Sequence, residues 1–134
     1  MAENLNNYLD SLNNQQRKAV ENTEGSLLVL AGAGSGKTRV LTYKILHILV
    51  KKLAFPSQIL AVTFTNKAAL EMKERVSSLL NYPIDKMWLG TFHSLSAKIL
   101  RQNSECVGLK SNFIIIDSED QFKLIKQLCE RENI

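Results

Sequence analysis

A chain of 134 residues with 45% hydrophobic and 22% charged side chains has the material for one domain with a core of its own, which excludes a disordered or fibrous protein. Its net charge of +4 and pI near 9.1 are compatible with a polyanionic partner without requiring one. Cys106 and Cys129 lack metal-ligand spacing, and no apolar run approaches the roughly 18 residues of a membrane span, which predicts buried, reduced thiols in a cytoplasmic protein with no membrane partner.

The chain opens on a polar, asparagine-rich leader, residues 1–12. Residues 13–21 read as a short helix, with Asn13 and Gln16 at capping-box spacing. Gln16 has a second reading, because a carboxamide also matches the paired donor and acceptor of adenine. Leu27-Leu28-Val29-Leu30 reads as an apolar strand and runs directly into Ala31-Gly32-Ala33-Gly34-Ser35-Gly36-Lys37-Thr38. A triphosphate crowds several negative charges together, and a loop binds it through inward-pointing N–H groups only where side chains leave the approach open. Gly32, Gly34 and Gly36 supply that backbone, and a helix starting near Gly36 turns its unpaired N–H groups toward the same phosphates. Lys37 is placed to reach the β- and γ-phosphates, and the Thr38 hydroxyl to ligate Mg²⁺. Ala31 stands where the full GxxxxGK[ST] pattern has glycine, a position that needs a small residue. The predicted element is the phosphate loop of a P-loop NTPase; the plainer alternative is a glycine turn with an incidental lysine.

Residues 37–52 read as a largely apolar helix broken by Phe55-Pro56-Ser57, and residues 59–64 as a second apolar strand. A helix over 66–80 opens on Thr65 as N-cap and is closed by Asn81-Tyr82-Pro83. A short strand over 87–90 leads through a Thr91 cap into a helix over 92–103, with Phe92, Leu95 and Ile99 on one face, and Gly108 ends that region. Phe113-Ile114-Ile115-Ile116 is a fourth apolar run. Ser118 and Gln121 form a predicted capping box for a last helix bearing Phe122, Ile125, Leu128 and Cys129. Apolar strands alternating with helices predict an α/β fold, a parallel sheet with helices on both faces.

Ligands of such sheets lie beyond the carboxyl ends of the strands. Phe64, Thr65 and Asn66 follow the second strand; Thr91, Phe92 and His93 follow the third. Phe64 reads either as a stacking surface for a base or as core, and His93 as a ligand-contacting or a merely solvated histidine. Asp117 ends the fourth run as a metal-holding acid does, yet Glu119 is not adjacent to it, and Asp117 reads more readily as a helix-start residue.

Residues 12–20, the loop from Ala31 through Arg39 to Leu41, Thr63-Phe64-Thr65-Asn66-Lys67-Ala68-Ala69 and Gly90-Thr91-Phe92-His93-Ser94 closely resemble, in order and spacing, the opening motifs of superfamily 1 DNA helicases of the UvrD/PcrA/Rep type. The resemblance implies an incomplete RecA-like P-loop lobe that uses ATP and Mg²⁺. It implies that Gln16 reads adenine, that Arg39 packs against the nucleotide, and that Ala31, Gly32, Ala33, Gly34, Ser35 and Gly36 form the loop around Lys37 and Thr38. It also implies that Phe64, Thr65 and Asn66, then Thr91, Phe92 and His93, contact single-stranded DNA. Such proteins couple ATP hydrolysis to 3′-to-5′ movement on single strands and unwind duplex junctions. The family's acidic motif and second-lobe arginines are not evident; Asp117 with Asp120-Gln121 resembles the segment preceding the family's inserted accessory domain, and the chain stops at its last helix without a capping glycine. The expectation is therefore an N-terminal fragment, missing the C-terminal part of the same polypeptide, that binds nucleotide but does not unwind. The alternatives are a complete small P-loop kinase or NTPase using Asp117, and a non-catalytic single-strand DNA-binding module.

Overall fold

The structure, a computed structural model, describes residues 7–80 and 83–133 and divides into two compact units, Met1–Leu95 and Ser96–Ile134. The first contains α1 (Asn14–Glu21), α2 (Lys37–Val50), β1 (Leu60–Thr63), α3 (Asn66–Leu80), β2 (Trp88–Thr91) and the first turn of α4 (Phe92–Gln102). β1 and β2 run parallel, from Leu60 opposite Trp88 to Thr63 opposite Thr91. Parallel neighbours need a crossover, and α3 provides it. α3 packs on both strands, α2 on α3 and α1 on α2. Met72, Val76 and Leu80 recur every four residues along α3, so they share one face and meet Ile45, Leu46 and Leu49 of α2 in the core.

The local start signals act as expected. The Ala68 N–H donates to Thr65 Oγ1 at 3.1 Å, which starts α3 at Asn66. Of the expected stop after Leu80, Asn81 and Tyr82 lie outside the described residues, as do leader residues 1–6. The rest of that leader is not a detached tail: Tyr8 and Leu12 are buried in the core. Their four-residue spacing gives the segment an apolar side that its polar composition conceals.

Two expected strands do not form. Leu27-Leu28-Val29-Leu30 and Phe113-Ile114-Ile115-Ile116 have no strand assignment, and Leu28, Leu30 and Ile114 are 82%, 87% and 84% exposed. A continuous apolar run marks a strand buried on both faces of a parallel sheet, but it becomes a strand only through neighbours that complete its ladder. Among the described residues, β1 and β2 pair only with each other. The expected sheet with helices on both faces is thus a two-stranded βαβ unit carrying α3.

The second unit holds the remainder of α4, a 3₁₀ turn at Ser104–Val107 closed by left-handed Gly108, and α5 (Ser118–Glu132). α5 is capped by Asp117, whose Oδ1 accepts from the Asp120 N–H at 2.9 Å, so the expected Ser118–Gln121 box is displaced by one residue. An ionised carboxylate at that position also gains from the helix dipole. Phe122, Ile125 and Leu128 of α5 are exposed. Both cysteines are free thiols, but neither is buried: Cys106 is exposed and Cys129 half-buried.

Candidate nucleotide site and exposed aromatic pair

Beyond Leu30 the chain turns at Ala33 and Gly34 and enters α2 through Gly36. Gly34 and Gly36 adopt φ of +74° and +81°, the left-handed region that glycine enters without steric cost. A Cβ on Gly36 would also stand 2.9 Å from Gln16 Nε2. Gly32 is under no such demand, since a Cβ there would meet nothing within 4 Å. The loop closes on its own carbonyls. Ser35 Oγ donates to Gly32 O at 2.7 Å, and the Lys37 ammonium donates to Ala31 O at 2.9 Å and Gly32 O at 2.7 Å.

The N-terminus of α2 carries neither a side-chain cap nor an acidic residue in its first turn. Its first intrahelical bond runs from the Val40 N–H to Gly36 O at 3.0 Å, so the N–H groups of Lys37, Thr38 and Arg39 precede the ladder. Three such donors, the helix dipole and an ammonium group make this end suited to an anion. A cleft of about 220 Å³ opens here between α1 and the loop, lined by Gln16, Val29, Ala31, Ser35, Lys37 and Val40 among others. Thr38 is exposed in the first turn of α2, with its hydroxyl open to solvent. Among the described residues no three His, Cys, Asp or Glu side chains gather to hold a metal, and Asp117 serves as the α5 cap.

The capping reading of Gln16 is realised in the structure. Its backbone N–H donates to Asn13 Oδ1 at 2.8 Å and its Oε1 accepts from the Asn13 N–H at 3.1 Å, completing the capping box. Its Nε2 donates to Ser35 O at 3.1 Å, which ties the start of α1 to the phosphate loop. A carboxamide has two hydrogens and two lone pairs, so these bonds leave one of each for a base edge. Arg39 is half-buried; it donates to Ser11 O at 2.8 Å and lies 5.5 Å from the Tyr43 ring centroid. Ser11 and Tyr43 were not foreseen, although Tyr43 follows Arg39 by the four residues that put side chains side by side on a helix.

Behind Arg39, Tyr8 Oη and His47 Nδ1 lie 2.6 Å apart in the core. Burial, helped by Glu21, raises the Tyr8 pKa. Burial also lowers the His47 pKa, as do Lys51 and Lys44, while Glu21 opposes them. Both groups are thereby neutral near pH 7, and one hydrogen bond serves the pair. Lys44 donates to Ala19 O at 2.9 Å and to Asn22 O, placing a cation at the C-terminal carbonyls of α1; burial lowers its pKa.

The second candidate region lies at the strand ends. Because Thr63 is opposite Thr91, the next residues, Phe64 and Phe92, emerge together, with ring centroids 6.3 Å apart and planes at 65°. Phe64 is 93% exposed and Phe92 60%, so the core reading of Phe64 does not hold. Asn66 and His93 are exposed beside them. The two threonines serve as the caps their positions predict. Thr65 holds the start of α3, and buried Thr91 exchanges bonds with Ser94: the Thr91 N–H donates to Ser94 Oγ at 2.9 Å and the Ser94 N–H to Thr91 Oγ1 at 3.2 Å. The structure therefore presents Phe64, Asn66, Phe92 and His93 outward and turns Thr91 inward. Neither α3 nor α4 has an acidic residue in its first turn.

A family profile described as the UvrD/REP helicase N-terminal domain matches residues 12–134. The chain is 49% identical over 130 residues to the ATP-dependent DNA helicase PcrA of Staphylococcus aureus (strain Mu50), covering 97% of this chain and 18% of that protein. It is likewise 49% identical over 129 residues to PcrA of Bacillus subtilis (strain 168), covering 96% and 18%, and 48% identical over 130 residues to PcrA of Staphylococcus epidermidis, covering 97% and 18%. The chain thus spans 18% of the length of these relatives.

Proposed function

The chain belongs to the UvrD/REP helicase N-terminal domain family, and on that footing we propose that it is the nucleotide-binding start of an ATP-dependent DNA helicase, part of a RecA-like P-loop lobe. The observation that carries this reading is the convergence of Gly36, Lys37 and Gln16 on the uncapped N-terminus of α2. In use, the first-turn N–H groups and Lys37 bind the phosphates, Thr38 offers an oxygen to Mg²⁺, and Gln16 and Arg39 face the base and sugar side. Held in part by the Thr38 hydroxyl, Mg²⁺ would supply neutralisation of phosphate charge. The acids that complete its coordination and the arginines that stabilise the transition state belong, in this reading, to the C-terminal remainder of the polypeptide.

The exposed Phe64 and Phe92 are read as a stacking platform for single-stranded DNA, with Asn66 and His93 at its margin. The 3′-to-5′ translocation and duplex unwinding of the whole protein are inferred from the family resemblance and the relatives' helicase names. No described helix is long and apolar enough to cross a membrane.

The test is binding of a fluorescent ATP analogue to the chain and to Lys37→Ala, with and without Mg²⁺, followed by phosphate release. Loss of the charge-assisted bonds is expected to weaken binding roughly tenfold to a hundredfold, with no turnover by either chain. Lys37-dependent turnover would instead mean a complete small NTPase, and equal binding by both chains would sink the phosphate-loop assignment.

A further inference from the structure

We infer that residues 8–13 act as a positioning strap for the base-recognition side of the nucleotide site, a role that rests on the nucleotide reading proposed above and adds Tyr8, Ser11 and Tyr43 to its machinery. Two points of this short segment hold the two side chains assigned to the base and sugar. Ser11 O accepts from the Arg39 guanidinium at 2.8 Å, and the Asn13 N–H donates to Gln16 Oε1 at 3.1 Å. Arg39 and Gln16 flank one residue: a Cβ on Gly36 would be 2.9 Å from Gln16 Nε2 and 3.8 Å from Arg39 Cβ. Fixing one strap therefore fixes both side chains relative to the phosphate loop.

The strap is itself anchored at both ends of its apolar side. Tyr8 enters the core and meets His47 of α2 at 2.6 Å, and Leu12 is buried in the same core. Between these anchors the Ser11 hydroxyl lies 3.2 Å from both Tyr8 O and Tyr43 Oη. Tyr43 then supports Arg39 from beneath, its ring centroid 5.5 Å from the guanidinium carbon. A long guanidinium side chain loses rotamer freedom whenever it binds a ligand. Here the carbonyl and the ring restrict Arg39 beforehand, so less is lost on contact with nucleotide.

The role is tested by comparing MgATP with magnesium tripolyphosphate, which engages the phosphate loop but has no base or sugar. The 134-residue chain is measured beside Tyr8→Phe, Tyr43→Leu and Tyr43→Phe by competition with a fluorescent nucleotide. Tyr43→Leu and Tyr8→Phe are expected to reduce the preference for ATP over tripolyphosphate about threefold to tenfold, leaving tripolyphosphate affinity unchanged. Tyr43→Phe keeps the ring and is expected to retain most of the preference. Equal losses for both ligands, or an unchanged preference in Tyr8→Phe and Tyr43→Leu, would overturn the strap. Should Tyr43→Leu fail to fold, Tyr8→Phe decides, since it removes a single hydroxyl. A parent chain that binds both ligands alike would remove the base-recognition premise and the strap with it, whereas binding of neither would overturn the nucleotide reading itself.

Discussion

At Gly36 one added methyl group meets two obstacles: a φ of +81° and the Gln16 amide 2.9 Å away. Gly36→Ala is accordingly expected to cost about 1–3 kcal/mol of stability and to weaken nucleotide binding, read from urea denaturation and titration. Gly32→Ala, which meets nothing within 4 Å, is the matched control and should leave stability nearly unchanged. His47 gives the chain a pH dependence with a definite sign. Its pKa in the fold is depressed by burial, so the unfolded chain binds the proton more readily. The stabilisation is complete above the ordinary value of 6.5 and is lost as the pH falls from there toward the folded pKa. The urea midpoint should drop between pH 7.5 and 5.5, and His47→Asn should flatten that dependence. At the strand ends, Phe64→Ala and Phe92→Ala are each expected to cost about 1–3 kcal/mol in single-strand binding if each ring stacks a base, measured by fluorescence anisotropy with an oligonucleotide.

Elements whose instructions are local were legible in the sequence. Asn13 and Gln16 form the box their spacing specifies, Thr65 starts α3, and Met72, Val76 and Leu80 bury the face their period selects. The glycine turn that leads into α2 was legible for the same reason, because Gly34, Gly36 and Lys37 are nearly contiguous. What escaped was long in range. Tyr8 meets His47 across 39 positions and Ser11 meets Arg39 across 28, and no local pattern in a polar leader encodes either partner. Strand pairing is equally non-local: the apolar runs at 27–30 and 113–116 have strand-like sequences but no ladder among the described residues. The junction of β2 and α4 is tightly specified by comparison. A Cβ on Gly90 would stand 2.6 Å from Ser94 Oγ, the atom that caps α4 with Thr91. Gly90→Ala should therefore destabilise the chain by about 1–3 kcal/mol, visible as a lower urea midpoint.

For the whole molecule, the apolar runs at 27–30 and 113–116 leave aliphatic side chains exposed. Leu28, Leu30 and Ile114 expose aliphatic surface in extended segments, the kind of backbone that pairs with other chains. Concentration-dependent self-association is expected by light scattering, and the double variant Leu28→Lys with Ile114→Lys should suppress it while leaving the urea midpoint within about 0.5 kcal/mol of the parent. The phosphate loop manages its own exposed charge differently. With the Lys37 ammonium already bonded to Ala31 O and Gly32 O, nucleotide capture in the proposed role would be an exchange of partners and not a simple addition. Affinity then follows the difference between two sets of bonds. In that reading a singly charged anion would gain little from the exchange, whereas a triphosphate chain would offer Lys37 several oxygens at once, so the loop would discriminate by ligand valence before any side chain inspects the base.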